Sequence, residues 1–172
     1  MQLAPQPIDD SATAHFAYAG GMRGVAQTIT VMRAMVNDYK LDPRIRQAAV
    51  NIIYNLPSKI DAAEAEAIFD FVRDSIRYTK DICDVETIST PDRTLQTRIG
   101  DCDDKSVLLA TLLESVGYAT RFVVAGYFIP GNVEHVYLQV WLDGQWVDAD
   151  ATEPHPLGWA PPGAVAMYYE GA

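Results

Sequence analysis

Apolar residues recur at helical spacing through the first half of the chain and alternate with polar ones through much of the second. Val25, Ile29, Met32, Met35, Val36 and Tyr39 share one face of a helix predicted over residues 25–39. Asp42-Pro43 opens a second helix, since proline at the first helical position sacrifices no hydrogen bond. Its buried stripe is Ile45, Ala48, Ala49, Ile52, Ile53 and Leu56, and Pro57 ends it. A third helix starts at Asp61, with Glu64 three residues on in a capping-box arrangement, and buries Ala65, Ile68, Phe69, Val72 and Ile76. Between Tyr78 and Ile99 the periodicity fades, and Pro91 among scattered polar residues predicts a long structured loop with short turns. The fourth helix runs from Cys102 to Val116 with Leu108, Leu109, Leu112, Leu113 and Val116 inward and Gly117 at the terminating position.

Past Gly117 the period changes from 3.6 to 2. Residues 120–128 are rich in β-branched and aromatic side chains, and residues 135–142 alternate. Asp143-Gly144 is a hairpin turn sequence, and residues 145–150 return as the partner strand. The first 20 residues, broken by proline and glycine, read as an arm or loop. The tail from Pro154, with Pro156, Pro161 and Pro162, reads as an extended wrap over the surface. Helices first and antiparallel strands second make an α+β fold.

Charge narrows the set of partners. The chain has 172 residues, one domain's worth, and 13 Lys and Arg against 23 Asp and Glu leave a formal charge of −10. A surface this acidic repels phosphate backbones and anionic lipid, which excludes nucleic acid and membrane as main partners. The longest apolar run, residues 122–130, is about half a membrane span. The opening residues lack the basic and apolar regions of a secretory signal, so a cytoplasmic protein is expected. Two cysteines, Cys83 and Cys102, are too few for a disulfide scaffold.

Cys102 is the residue with chemical promise. It follows Gly100-Asp101 in the first turn of the best-defined helix, where outward N–H groups and the helix dipole favour a thiolate. The plain alternatives are a small buried hydrophobe and a Cys83–Cys102 disulfide. Cys83 lies among acidic residues that disfavour a thiolate. A cysteine nucleophile needs a base and, as a rule, a carboxylate to orient that base. Of three histidines, His15 lies in the arm and His155 between Pro154 and Pro156. His135 opens a strand, and a hairpin centred on Asp143-Gly144 places it nearly opposite residues 150–152, within reach of Asp150.

These residues resemble a known family. The run Gly100-Asp101-Cys102-Asp103-Asp104-Lys105-Ser106-Val107-Leu108-Leu109, continuing through Gly117 to Phe122, is similar to the cysteine motif of the transglutaminase-like superfamily. His135 to Trp141, Trp146 and Asp150-Ala151-Thr152 resemble its histidine and aspartate motifs, in order and in register. Residues 68–81, with Ile76-Arg77-Tyr78, resemble the lead-in to that core. The resemblance implies a papain-like fold in which N-terminal helices pack on an antiparallel sheet. It divides the single domain into an arm and helices (1–60), a catalytic core (61–153) and an extended tail (154–172). It makes Cys102 the nucleophile, His135 the base and later acid, and Asp150 the orienting carboxylate. Asp148 competes with Asp150, which is preferred because the family motif sets its aspartate before a small residue and threonine. Gln96, six residues before the cysteine, has the spacing of the oxyanion glutamine of papain-like proteases.

The resemblance extends to bacterial transglutaminase-like cysteine proteinases that bind calcium through acidic residues flanking the cysteine, a pattern that Asp101 and Asp104 match. Helix capping by the same two side chains is the alternative and needs no cofactor. Trp141 and Trp146 read first as sheet packing, with Trp159 the freer candidate for a cleft or partner contact. The implied activity is cysteine-dependent hydrolysis of an amide in a protein or peptide, with transamidation its close chemical relative. The whole chain also resembles small members encoded among phage and prophage structural genes. That implies a second function, a virion-associated or assembly component that binds a phage structural protein through the same fold.

Overall fold

The computed structural model describes residues 13–16, 22–56, 61–80, 86–129 and 132–170. Three helices, α1 (Met22–Tyr39), α2 (Pro43–Ile53) and α3 (Asp61–Ser75), surround a fourth long one, α5 (Cys102–Ser115). The periodic positions pack as their spacing predicts: Met32 and Val36 from α1, Ile45 and Ala49 from α2, and Ala65, Ile68, Phe69 and Val72 from α3 enter one core. Asp42 caps α2, accepting the Arg44 N–H at 2.7 Å, with Pro43 in the first turn. This helix ends at Ile53, one turn earlier than the stripe implies, and Pro57 lies outside the described residues.

The four-stranded sheet has the order β7-β6-β5-β8, with β5 (Thr120–Gly126), β6 (His135–Leu142), β7 (Gln145–Ala149) and β8 (Ala166–Tyr169) all antiparallel to their neighbours. Phe122 and Val124 of β5 and Val136, Leu138 and Val140 of β6 face the helices and complete the core. Val123, Ala125 and Tyr137 face the other way, under Tyr127, Ala160, Ala164 and Tyr169. The β6–β7 turn is as expected: Leu142 pairs with Gln145 across Asp143 (φ 49°) and Gly144 (φ 82°), left-handed conformations that Asp-Gly favours.

Four features differ from the sequence reading. The tail does not simply wrap; its last residues form β8, because Glu170 is held by Arg33 (2.6 Å) and accepts the Phe122 N–H (3.0 Å). Arg33 also meets Glu114 at 2.5 Å, so one guanidinium joins α1, α5 and the final strand. The segment read as a loop contains a helix, α4 (Pro91–Thr97), which starts at Thr90 with proline in its first turn. The N-terminal arm contributes β1 (Thr13–Phe16), antiparallel to β3 (Glu86–Ser89). A short parallel pair, β2 (Arg77–Tyr78) with β4 (Ile99–Gly100), links the end of α3 to the start of α5. No helix among the described residues is long and apolar enough to cross a membrane.

Candidate active site

The site forms where α5 begins, against the start of β6. Asp101 caps α5, its Oδ1 accepting the N–H groups of Asp103 (3.1 Å) and Asp104 (3.2 Å). Asp104 completes the capping box: its Oδ2 accepts the Asp101 N–H at 3.4 Å and its Oδ1 the Ser89 N–H at 2.7 Å. Gly100 is glycine for a steric reason, since a Cβ there would lie 2.6 Å from the Asp104 Cβ. These contacts fix the first turn of α5 and so the base of the Cys102 side chain, which is partly exposed.

Two backbone N–H groups, those of Asp103 and Val136, face the sulfur and favour its thiolate. They do not prevail. Burial, then the Asp103 and Asp101 carboxylates, push the thiol well above the ordinary cysteine range, reversing the expectation that the helix start lowers it. Asp103 Oδ1 lies 3.9 Å from Sγ. The dipole of a helix start is a fraction of a charge, whereas each flanking carboxylate is a whole one.

His135 and Asp150 meet as the hairpin register predicts. Nε2 lies 2.7 Å from Asp150 Oδ2, and Asp150 Oδ1 accepts from the Thr152 N–H (3.0 Å) and hydroxyl (2.6 Å). Burial alone would raise the Asp150 carboxyl, but the His135 and Thr152 hydrogen bonds outweigh it and hold Asp150 below the usual carboxylate range. A carboxylate only accepts, so Nε2 carries the hydrogen and the neutral ring keeps its lone pair on Nδ1. The competing carboxylate, Asp148, accepts from Gln139 Nε2 at 2.7 Å instead. Sulfur and imidazole share no direct hydrogen bond here: Cys102 rests against the backbone of Val136, the residue after His135. Nucleophile–base pairs are commonly loose when no substrate is bound.

Gln96 is exposed near the end of α4, and its side chain makes no hydrogen bond among the described residues. A residue near the cysteine turn that the sequence did not suggest is Tyr78, 46% exposed, which β2 pairs directly with Gly100, two residues before Cys102. Burial, then Cys102, Asp101, Asp103 and Glu153, push its phenol up to about 12, so it is a permanent hydrogen-bond donor at neutral pH. On the imidazole side, the Tyr127 ring lies 6.5 Å from His135 and is likewise pushed up to about 12, by burial and then by Asp150, Asp148 and Glu134. Trp141 and Trp146 pack edge to face at 5.1 Å, and Arg121 lies 4.5 Å over Trp146, consistent with sheet packing. Trp159 stacks on His155 at 3.8 Å. Cys83 lies outside the described residues.

Residues 46–151 match the model of the transglutaminase-like superfamily, spanning the cysteine, histidine and aspartate motifs. The chain belongs to that superfamily. Comparison with curated protein sequences finds no match. Among solved structures, this transglutaminase-like chain is similar to a candidate cysteine protease from Cytophaga hutchinsonii (TM-score 0.56, 16% identity, covering 80% of this chain and 47% of that one). It is similar to a candidate protease from Parabacteroides distasonis (0.58, 10%, covering 75% and 26%). It is also similar to calcium-bound LapG of Legionella pneumophila (0.55, 20%, covering 79% and 80%). The chain therefore spans about half the length of the first of these proteins and a quarter of the second. At these identities the likeness shows the shared fold.

LapG has been seen both calcium-bound and EGTA-treated, which bears on the flanking acidic residues. In this chain Asp101 and Asp104 both serve the first turn of α5. Calcium takes six to eight oxygens. Both Asp104 oxygens accept backbone N–H groups, and the Asp101 Oδ1 accepts two. No cluster of three or more metal-binding side chains occurs among the described residues. Capping thus gives both carboxylates a role that needs no ion.

Proposed function

We propose that this member of the transglutaminase-like superfamily is a cysteine hydrolase of amides in protein or peptide, with Cys102 as nucleophile, His135 as base and Asp150 as its orienting carboxylate. The observation that carries the reading is the 2.7 Å His135–Asp150 hydrogen bond, formed at the start of the strand that the Cys102 helix packs against. With Nε2 held by Asp150, Nδ1 is the nitrogen left to take the thiol proton. Cys102 Sγ then attacks the carbonyl carbon, and the imidazolium gives its proton to the leaving amine. Water, deprotonated by the same ring, releases the acyl group and restores the thiol.

The developing oxyanion needs donors that are already in place. The Cys102 N–H is the first candidate, and Tyr78, whose strand pairs with Gly100 at the cysteine turn, is a second beside Gln96. Transamidation would use the same acyl intermediate with an amine in place of water.

The reading is tested by mapping where a thiol-directed probe reacts, and at what pH. A thiol raised by burial and two carboxylates, if unassisted, reacts only in alkaline solution, because the proton leaves only there. With His135 taking the proton, iodoacetamide should modify Cys102 at neutral pH, and peptide mass spectrometry should place the adduct there. Modification confined to alkaline pH, or an adduct on Cys83 in equal amount, would remove Cys102 from the role. The same experiment in calcium and in EGTA tests the capping reading: equal rates are expected if Asp101 and Asp104 serve α5 alone, and a calcium-dependent rate would mean that they also hold the ion.

A further inference from the structure

A charged group lies buried under the site, and the mechanism above does not use it. Lys105, on the first turn of α5 three residues after Cys102, is only 2% exposed. Its Nζ donates to the carbonyls of Ile76 (2.8 Å) and Arg73 (3.2 Å). Both carbonyls belong to the end of α3, where a helix leaves acceptors unpaired and its dipole favours a cation. The Arg77 N–H, which would have closed the last turn onto Arg73, instead donates to Arg98 and starts β2. No carboxylate among the described residues makes a contact ion pair with the ammonium. Asp150 and Asp74 attract it from farther off, Arg73 opposes it, and burial outweighs them all, bringing Lys105 down to about 8. The carboxylate of Asp150 keeps its direct hydrogen bonds for His135 and Thr152.

A methionine would fill much the same space without the desolvation cost, and apolar replacement of a buried charge is often neutral or stabilising. Charge at this depth calls for a use. The ammonium joins two parts of the site. It is carried by the helix turn that bears Cys102, and it holds the corner from which Tyr78 departs toward Gly100.

We propose that Lys105 is a positioning residue: its ammonium pins the α3–β2 corner, and so Tyr78, to the first turn of α5. The inference rests on the Cys102 reading, because the groups it positions are that site's. Lys105→Met and Lys105→Arg proteins, compared with the parent chain, separate charge from bulk. Lys105→Met should unfold cooperatively on heating, yet its iodoacetamide reaction at Cys102 should be about tenfold slower at neutral pH, the scale of one pK unit, with a displaced pH profile. Lys105→Arg should recover most of that rate. A folded Lys105→Met protein with the parent's rate and profile overturns the proposal, as does a folded Lys105→Arg protein as slow as the methionine variant.

Should Lys105→Met fail to fold, Lys105→Gln is compared in its place by amide exchange of the Arg77 and Thr79 N–H groups, which donate to Arg98 (2.9 Å) and Gly100 (3.0 Å). Both should exchange faster in the variant, and unchanged exchange overturns the proposal. If the adduct in the parent chain maps away from Cys102, the hydrolase reading falls, while this exchange still reads whether Lys105 pins the corner.

Discussion

Asp150→Asn should leave a folded protein whose Cys102 is acylated by p-nitrophenyl acetate on the order of 10³- to 10⁴-fold more slowly, the scale on which a wrong imidazole tautomer costs a catalytic triad. The substitution changes little in volume. The asparagine carbonyl still accepts from Thr152, as Asp150 Oδ1 does now. The other side-chain atom, however, becomes an NH₂ that donates to His135 Nε2, where a carboxylate accepts at 2.7 Å. Nε2 must then offer its lone pair, and the hydrogen moves to Nδ1, the nitrogen required to take the thiol proton. The imidazolium also loses the anion that stabilises it. Asp148→Asn is the matched control, since Asp148 is hydrogen-bonded to Gln139, and it should acylate at close to the parent rate. An Asp150→Asn protein within about threefold of the parent, or an Asp148→Asn protein that loses as much, would move the orienting role elsewhere.

Gly126→Ala should be the most damaging small substitution among the described glycines. A Cβ at this position would lie 1.8 Å from the Asn132 carbonyl oxygen and 2.9 Å from its carbon, and both are backbone atoms with no rotamer to yield. Gly126 closes β5, and its carbonyl accepts the Val165 N–H at 2.8 Å at the entry to β8. The chain must therefore shift either the sheet or the segment that returns to His135. Overpacking of this kind costs about 1–3 kcal/mol, more where backbone has to move, and each 1 kcal/mol lowers the melting temperature of a chain this size by roughly 2–4 °C. Thermal unfolding should show a loss of several degrees, accompanied by slower modification of Cys102 because His135 moves with the segment. A Gly126→Ala protein that melts with the parent would show that the loop relaxes freely.

Much of this architecture was legible in the amino-acid order. The stripes that contain Val36, Ala49 and Val72 identified the helices, because packing one apolar face is what stabilises them. The Asp143-Gly144 turn fixed the register of its hairpin, and register brought His135 to Asp150. The elements that escaped were short or depended on distant partners. Strand β1 pairs with residues 70 or more positions away, and β8 is held by Arg33 across 137 positions, so no local pattern announces either. The start of α4 was readable in Thr90-Pro91-Asp92, a helix-opening sequence hidden by its polar surroundings.

The site was half legible. Motif spacing pointed to Cys102, His135 and Asp150 together. The electrostatic sign at Cys102 was not readable, because it depends on how deeply the sulfur lies and how close Asp103 comes. Tyr78 stayed hidden because a two-residue parallel pairing brings it to Gly100, next to the cysteine turn, whereas Gln96 drew attention through a linear interval that α4 and β4 redirect.

Helix α5 is enclosed nearly all round from Asp103 to Leu113, which has a mechanical corollary. An axle seated this tightly cannot slide to greet an incoming chain without loosening the whole interior. Any give on docking must come from the opposite bank, where Phe128 and Ile129 stand in solvent between β5 and β6. The sulfur is the anvil, and the histidine's side supplies whatever travel the encounter requires.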